Sequence, residues 1–184
     1  MSAEQQGNVL LPIARAAISR ALNVPRAADE TAPWLVEHGA CFVTLTQHGQ
    51  LRGCIGSLQA HRPLLDDVKS NAVAAALRDP RFAPLNAEEL DITRIEISLL
   101  SASVVMDIRD EADALAQLRP GVDGVILEYG RHCSTFLPQV WEQLPQPRQF
   151  MTHLKRKAGL PDDFWAEGVR LSRYTVTKWS ENIT

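Results

Sequence analysis

The sequence predicts an α+β fold, with mixed or antiparallel sheet flanked by helices, and two observations carry that expectation. Strand-like and helix-like segments interleave along the 184 residues instead of alternating regularly. Short turn signals join strand segments into hairpins, first at His48-Gly49 and again between Tyr129 and Cys133. No internal repeat or low-complexity segment interrupts the pattern. The length suits one domain spanning residues 1–184, with room for two sub-lobes.

Each element has a local reason. Asn8 is placed to cap a helix running to about Leu22, with Pro12 in its first turn and Leu11, Ala14, Ile18 and Ala21 as its apolar stripe. Cys41 to Thr46 alternates as a strand, His48-Gly49 turns, and Leu51 to Leu58 returns. A helix starts at Pro63, buries Leu65, Val68, Ala72 and Ala76, and is ended by Pro80. Asn86 and Glu89 form a capping box, and Ile92 to Val105 is strand-like. A helix from Asp110 to Leu118 stops at Pro120-Gly121, and the strands Val125–Tyr129 and Cys133–Leu137 follow the Asp123-Gly124 turn. Pro147 to Ala158 forms the next helix, with Gly159 beyond its end, and Val169 to Trp179 reads as one final strand.

Hydrophobic residues make up 45% of the chain, and a formal net charge of −3 argues against a general affinity for nucleic acid. The one dense basic cluster, Lys155-Arg156-Lys157, falls in the last turn of its helix, where cations meet the negative end of the dipole. No apolar run approaches the roughly eighteen residues needed to cross a bilayer. Met1 to Gly7 is polar and unlike a signal peptide, so a cytoplasmic protein is expected. Cys41, Cys54 and Cys133 lack the paired spacing of a disulfide or zinc framework and are expected as reduced thiols.

The run Leu51-Arg52-Gly53-Cys54-Ile55-Gly56 carries the most chemistry. Two glycines in a strand leave gaps that mark a bulge or a close backbone approach. In a regular strand Arg52 and Cys54 share a face, and a nearby cation favours the reactive thiolate. A four-residue loop register, Gln47 to Gln50, would place Val43 opposite Cys54 and put Cys41, Val43 and Leu45 on that same face. Aliphatic neighbours would instead make Cys54 a small buried hydrophobe with a raised pKa. Both readings stand at this level.

Further motifs follow in order: Asp79-Pro80-Arg81-Phe82 with Pro84-Leu85, Glu88-Glu89-Leu90, Ile95-Glu96-Ile97-Ser98, Gly121-Val122-Asp123-Gly124-Val125, Thr135-Phe136-Leu137-Pro138-Gln139-Val140, Lys157-Ala158-Gly159-Leu160-Pro161 and Phe164-Trp165. Across about residues 8–180 this series resembles the AMMECR domain family, whose bacterial and archaeal members are called AmmeMemoRadiSam system protein A. The resemblance implies two unequal lobes around a cleft. It also implies association with a Memo-type protein and a radical S-adenosylmethionine enzyme. Those partners would bring the metal and the radical chemistry, since this chain lacks a three-cysteine iron–sulfur signature.

Two function classes follow. One is a binding or adaptor module. The other is an enzyme acting on a small polar or anionic ligand, with Cys54 as nucleophile or redox thiol and His61 as the candidate base. Arg52, Gly53, Gly56, Arg81 and Glu96 are the expected ligand-binding residues, with an Arg52–Glu96–Arg81 ion cluster beside Cys54. His38 with Cys41 and His132 with Cys133 do not assemble a metal site by spacing, and there is no P-loop, dinucleotide fingerprint, HExxH or GxSxG motif, so no cofactor is expected.

Overall fold

The structure, a computed structural model, describes residues 2–182. Its elements in chain order are α1 (Ala3–Ala21), β1 (His38–Gln47), β2 (Gln50–Gly56), β3 (Arg62–Pro63), α2 (Leu64–Leu77), β4 (Thr93–Leu100), β5 (Val104–Val105), α3 (Glu111–Gln117), β6 (Gly124–Tyr129), β7 (His132–Phe136), α4 (Pro147–Lys157), β8 (Arg170–Tyr174) and β9 (Val176–Ser180). They form two compact units, one from residues up to Leu100 with the segment from Thr177 onward, the other Ser101–Val176. The α+β class holds: every sheet pairing with a defined register is antiparallel.

In the first unit the strands run in the order β2-β1-β4-β9, with β3 pairing β1 at its start. Alternation sends Val43 and Leu45 of β1 and Ile95 and Ile97 of β4 into one core with Leu10, Ile13 and Ile18 of α1 and Val68, Ala72 and Ala76 of α2. The cap of helix α1 is Ser2, six residues before the expected Asn8, because Ser2 and Gln5 make a reciprocal capping box. Pro12 is therefore inside the helix, and the buried stripe is Leu10, Ile13, Ala14, Ala17 and Ile18, with Leu11 only half-buried. Pro63 caps α2, and the box of Asn86 and Glu89 opens a 3-10 turn over Ala87–Ile92.

In the second unit the order is β5-β8-β6-β7. Its core joins Val125, Leu127 and Leu171 to Phe150, Met151 and Leu154 of α4. The Trp141 ring stacks on Phe150 with centroids 3.7 Å apart, and its indole N–H donates to the Asp123 carbonyl at 2.7 Å. The basic cluster at the end of α4 is tied down locally. Lys155 is buried and reaches Glu111 at 2.5 Å, Arg156 pairs with Asp162, and Lys157 donates to the Thr135 carbonyl.

Two expected strands are each two strands. The segment 92–105 breaks into β4 and β5, and 169–179 breaks into β8 and β9, with the parts in different sheets. Both breaks lie at the same spot: the Ser101 N–H donates to the Thr175 carbonyl and the Thr175 N–H to the Ser101 hydroxyl. These two bonds satisfy the Ser101 N–H and both backbone groups of Thr175 where the chain changes sheet. The single final strand expected from Val169 to Trp179 is therefore not formed.

Candidate functional site

His48 and Gly49 both adopt positive φ, 50° and 76°, which makes the β1–β2 connection a two-residue turn of the primed type. Gln47 then faces Gln50 and Thr46 faces Leu51, but the register shifts by one before Leu45 meets Gly53. This bulge places Cys54 opposite Thr44 and not opposite Val43. Since a one-residue slip exchanges the two faces of a strand, Cys54 does not share a face with Cys41, Val43 and Leu45.

The face that Cys54 does occupy carries a polar row. The Thr44 hydroxyl donates to the Cys54 sulfur at 3.3 Å, and Thr44 also stands opposite Glu96 on β4. Glu96 accepts from the Ser180 hydroxyl at 3.0 Å and lies 3.8 Å from the Lys178 ammonium. Cys54, Thr44 and Glu96 are all half-buried. On the opposite face Gly53 lies under α2, and a Cβ there would come within 2.1 Å of the Ala75 carbonyl oxygen. At Gly56 a Cβ would meet the Phe42 ring at 2.2 Å. The two glycines of the motif are therefore required by close approach.

The turn after α2 grips this strand. The Cys54 N–H donates to Asp79 Oδ2 at 2.9 Å, while Arg81 Nη2 donates to the Cys54 carbonyl at 3.3 Å. Arg81 also forks onto Asp79 through Nε at 3.0 Å and Nη2 at 2.7 Å. Those bonds, with the Cys54 and Arg81 amides, hold the buried Asp79 carboxyl well below the usual carboxylate range against the opposing effect of burial. Nη1 of Arg81 has no hydrogen-bond partner among the described residues, and the guanidinium lies 5.5 Å from the Phe82 ring centroid.

The expected Arg52–Glu96–Arg81 cluster does not form, because each charge has a nearer partner. Arg52 forks onto Glu89 at 3.0 and 3.2 Å, Arg81 is held by Asp79, and Glu96 turns to Ser180 and Lys178. Glu89 also accepts from Gln47 and the Asn86 amide, and the Arg52 bonds lead the causes that lower its pKa. His61 is exposed, and its ring has no hydrogen-bond partner among the described residues.

Cys41 sits in a different environment. It is fully buried, and desolvation, reinforced by the Asp67 carboxylate, pushes its thiol pKa far up. Asp67 accepts from the Cys41 N–H at 2.9 Å, from Asn71 at 3.0 Å, from Ser57 at 2.6 Å and from Arg62 at 2.9 Å. Asn71 donates in turn to the Cys41 carbonyl at 3.0 Å. Asp79, Asp67 and Asn71 were not anticipated as site-building residues. A readable signal existed, since Asp67 and Asn71 stand four apart among the apolar positions that α2 buries. The three cysteines are free, and among the described residues no three His, Cys, Asp or Glu side chains are grouped to hold a metal ion.

Fold and site together define an α+β protein whose thiol-bearing edge strand is clamped by an Asp-Pro-Arg turn. The AMMECR1 family model matches residues 11–179, and the chain belongs to that family. It is 34% identical to a protein of Methanocaldococcus jannaschii over 96% of this chain and 90% of the relative. It is 35% identical to a protein of Methanothermobacter thermautotrophicus over 96% of this chain and 95% of that one. The crystal structure of an uncharacterised Pyrococcus horikoshii protein superposes with a TM-score of 0.80 at 31% identity, covering 96% of this chain and 92% of the other. No helix of the described residues is long and apolar enough to cross a membrane.

Proposed function

We propose that this AMMECR1-family protein is a binding or adaptor component that works with a Memo-type protein and a radical S-adenosylmethionine enzyme in the cytoplasm. One observation carries the reading: the charged groups around the Leu51–Gly56 motif are engaged in fixing the strand. Asp79 and Arg81 hold the backbone of Cys54 from both sides, and Arg52 is matched by Glu89. The thiol itself accepts a hydrogen bond from Thr44, and among the described residues no imidazole or carboxylate is bonded to it. A nucleophilic cysteine works with a base held by a third group, whereas a rigid strand with a fixed row of polar side chains suits recognition.

A binding titration with the two partner proteins tests this. Cys54→Ser retains binding, and Arg52→Ala or Arg81→Ala weakens it. Loss of system activity in Cys54→Ser with binding intact would overturn the adaptor reading in favour of a second one. In that reading Cys54 acts on a small polar or anionic substrate. It is supported by the half-burial of the thiol and by the unpartnered Nη1 of Arg81 beside it.

A further inference from the structure

Strand β2 is an edge of its sheet, since the order begins β2-β1-β4-β9. An edge presents unpaired N–H and C=O groups that template pairing with another chain. In an antiparallel ladder the N–H and C=O of one residue point to the same side, alternately toward one neighbour and the other. Cys54 directs both groups outward, and both are taken by side chains of one turn. Its N–H meets the Asp79 carboxylate and its C=O meets the Arg81 guanidinium. An acceptor and a donor therefore stand where one residue of an added antiparallel strand would put its own C=O and N–H. The two side chains are joined to each other, with Asp79 2% exposed and Arg81 54% exposed.

We propose that the Asp79–Arg81 pair is an edge cap that keeps β2 from pairing with β2 of a second copy of this chain. The second copy follows from the geometry of the capped residue. A residue offering both groups on one side can sit on a two-fold axis, so that Cys54 exchanges both bonds with Cys54 of the second copy in a closed, self-complementary contact. Charge does not oppose that pairing, because the one charged residue of β2, Arg52, is neutralised by Glu89 of its own chain. Leu51 adds an exposed apolar side chain to the same strand. This inference rests on the strand edge and is independent of the adaptor reading.

The test uses the full chain with Cys41→Ser and Cys133→Ser, alone and with Arg81→Ala or Asp79→Ala/Arg81→Ala. Solution mass is read by light scattering, and exchange at the Cys54 amide is read by mass spectrometry. Diamide is the probe for proximity: the two Cys54 thiols give up two protons and two electrons to it and join as a disulfide, while diamide is reduced to its hydrazine. The parent is expected to be a monomer with a protected Cys54 amide. Uncapping is expected to raise the dimer fraction and the disulfide yield roughly tenfold. A parent that already pairs through β2 would overturn the proposal. So would variants that stay monomeric, with no gain in disulfide, once the Cys54 amide exchanges freely. If that amide stays protected in a double variant that remains monomeric, Asp79 and Arg81 are not the cap, which overturns the proposal equally.

Discussion

The two ends of α2 solve one problem in two ways. Each end places a buried aspartate against the backbone N–H of a cysteine in the hairpin, Asp67 on Cys41 and Asp79 on Cys54. At the Asp67 end the carboxylate gathers Asn71, Ser57 and Arg62 as well, and the thiol of Cys41 lies entirely in the core. At the Asp79 end the counter-charge is a half-exposed arginine, and the thiol of Cys54 lies on the other face of the sheet. The difference teaches that a strand bulge, not the identity of the residue, decides which cysteine is available for contact.

Substitutions at the two aspartates and their neighbours test this difference. Asp67→Ala has the largest expected effect, because it orphans the Cys41 N–H and strips Arg62 and Asn71 of their acceptor. A loss of about 3 kcal/mol, or roughly 6–12 °C in Tm, is expected in thermal unfolding. A Tm within a degree of wild type would mean that the network adds nothing to packing. Gly53→Ala comes next. The new Cβ collides with backbone, the Ala75 carbonyl, so about 1–3 kcal/mol of destabilisation is expected. Gly56→Ala meets only the Phe42 ring, which is able to turn away, so denaturant titration should show the smaller loss there.

Acid titration distinguishes Asp79 from its amide. The folded carboxyl titrates below its unfolded value of about 3.9, so its stabilisation is complete above that value and disappears as pH falls toward the folded pKa. The Tm gap between wild type and Asp79→Asn should be widest above about pH 5 and close as the pH drops below about 4. A gap that widens on acidification would contradict the arrangement. The smallest energetic effect is expected for Cys54→Ser, within about 0.5 kcal/mol. The thiols themselves separate cleanly: alkylation of the native protein should label Cys54 and Cys133, and Cys41 only after unfolding.

Much of the fold was legible because its signals are local. The His48-Gly49 turn, the Asn86–Glu89 capping box, the stop of α2 before Pro80 and the glycine after α4 each depend on a few adjacent residues, and each is present. The start of α1 was misplaced where Ser2 offered a better cap than Asn8. In sequence the segments 92–105 and 169–179 look continuous because the alternation carries through the break that Ser101 and Thr175 stabilise from opposite ends of the second unit.

By itself the sequence determined the α+β class, since periodicity and turn chemistry are properties of short stretches, and its ordered series of motifs carried the resemblance to the family. Tertiary structure alone decided the partners. It gave Arg52 to Glu89, Arg81 to Asp79 and Glu96 to Ser180 and Lys178, across separations of up to 84 positions. It also turned Cys54 away from Cys41 through a single bulged residue. The physical reason is that a side-chain ion pair goes to whichever opposite charge the backbone brings within hydrogen-bond range. That distance depends on strand register, which a slip of one residue reverses and which no local pattern encodes.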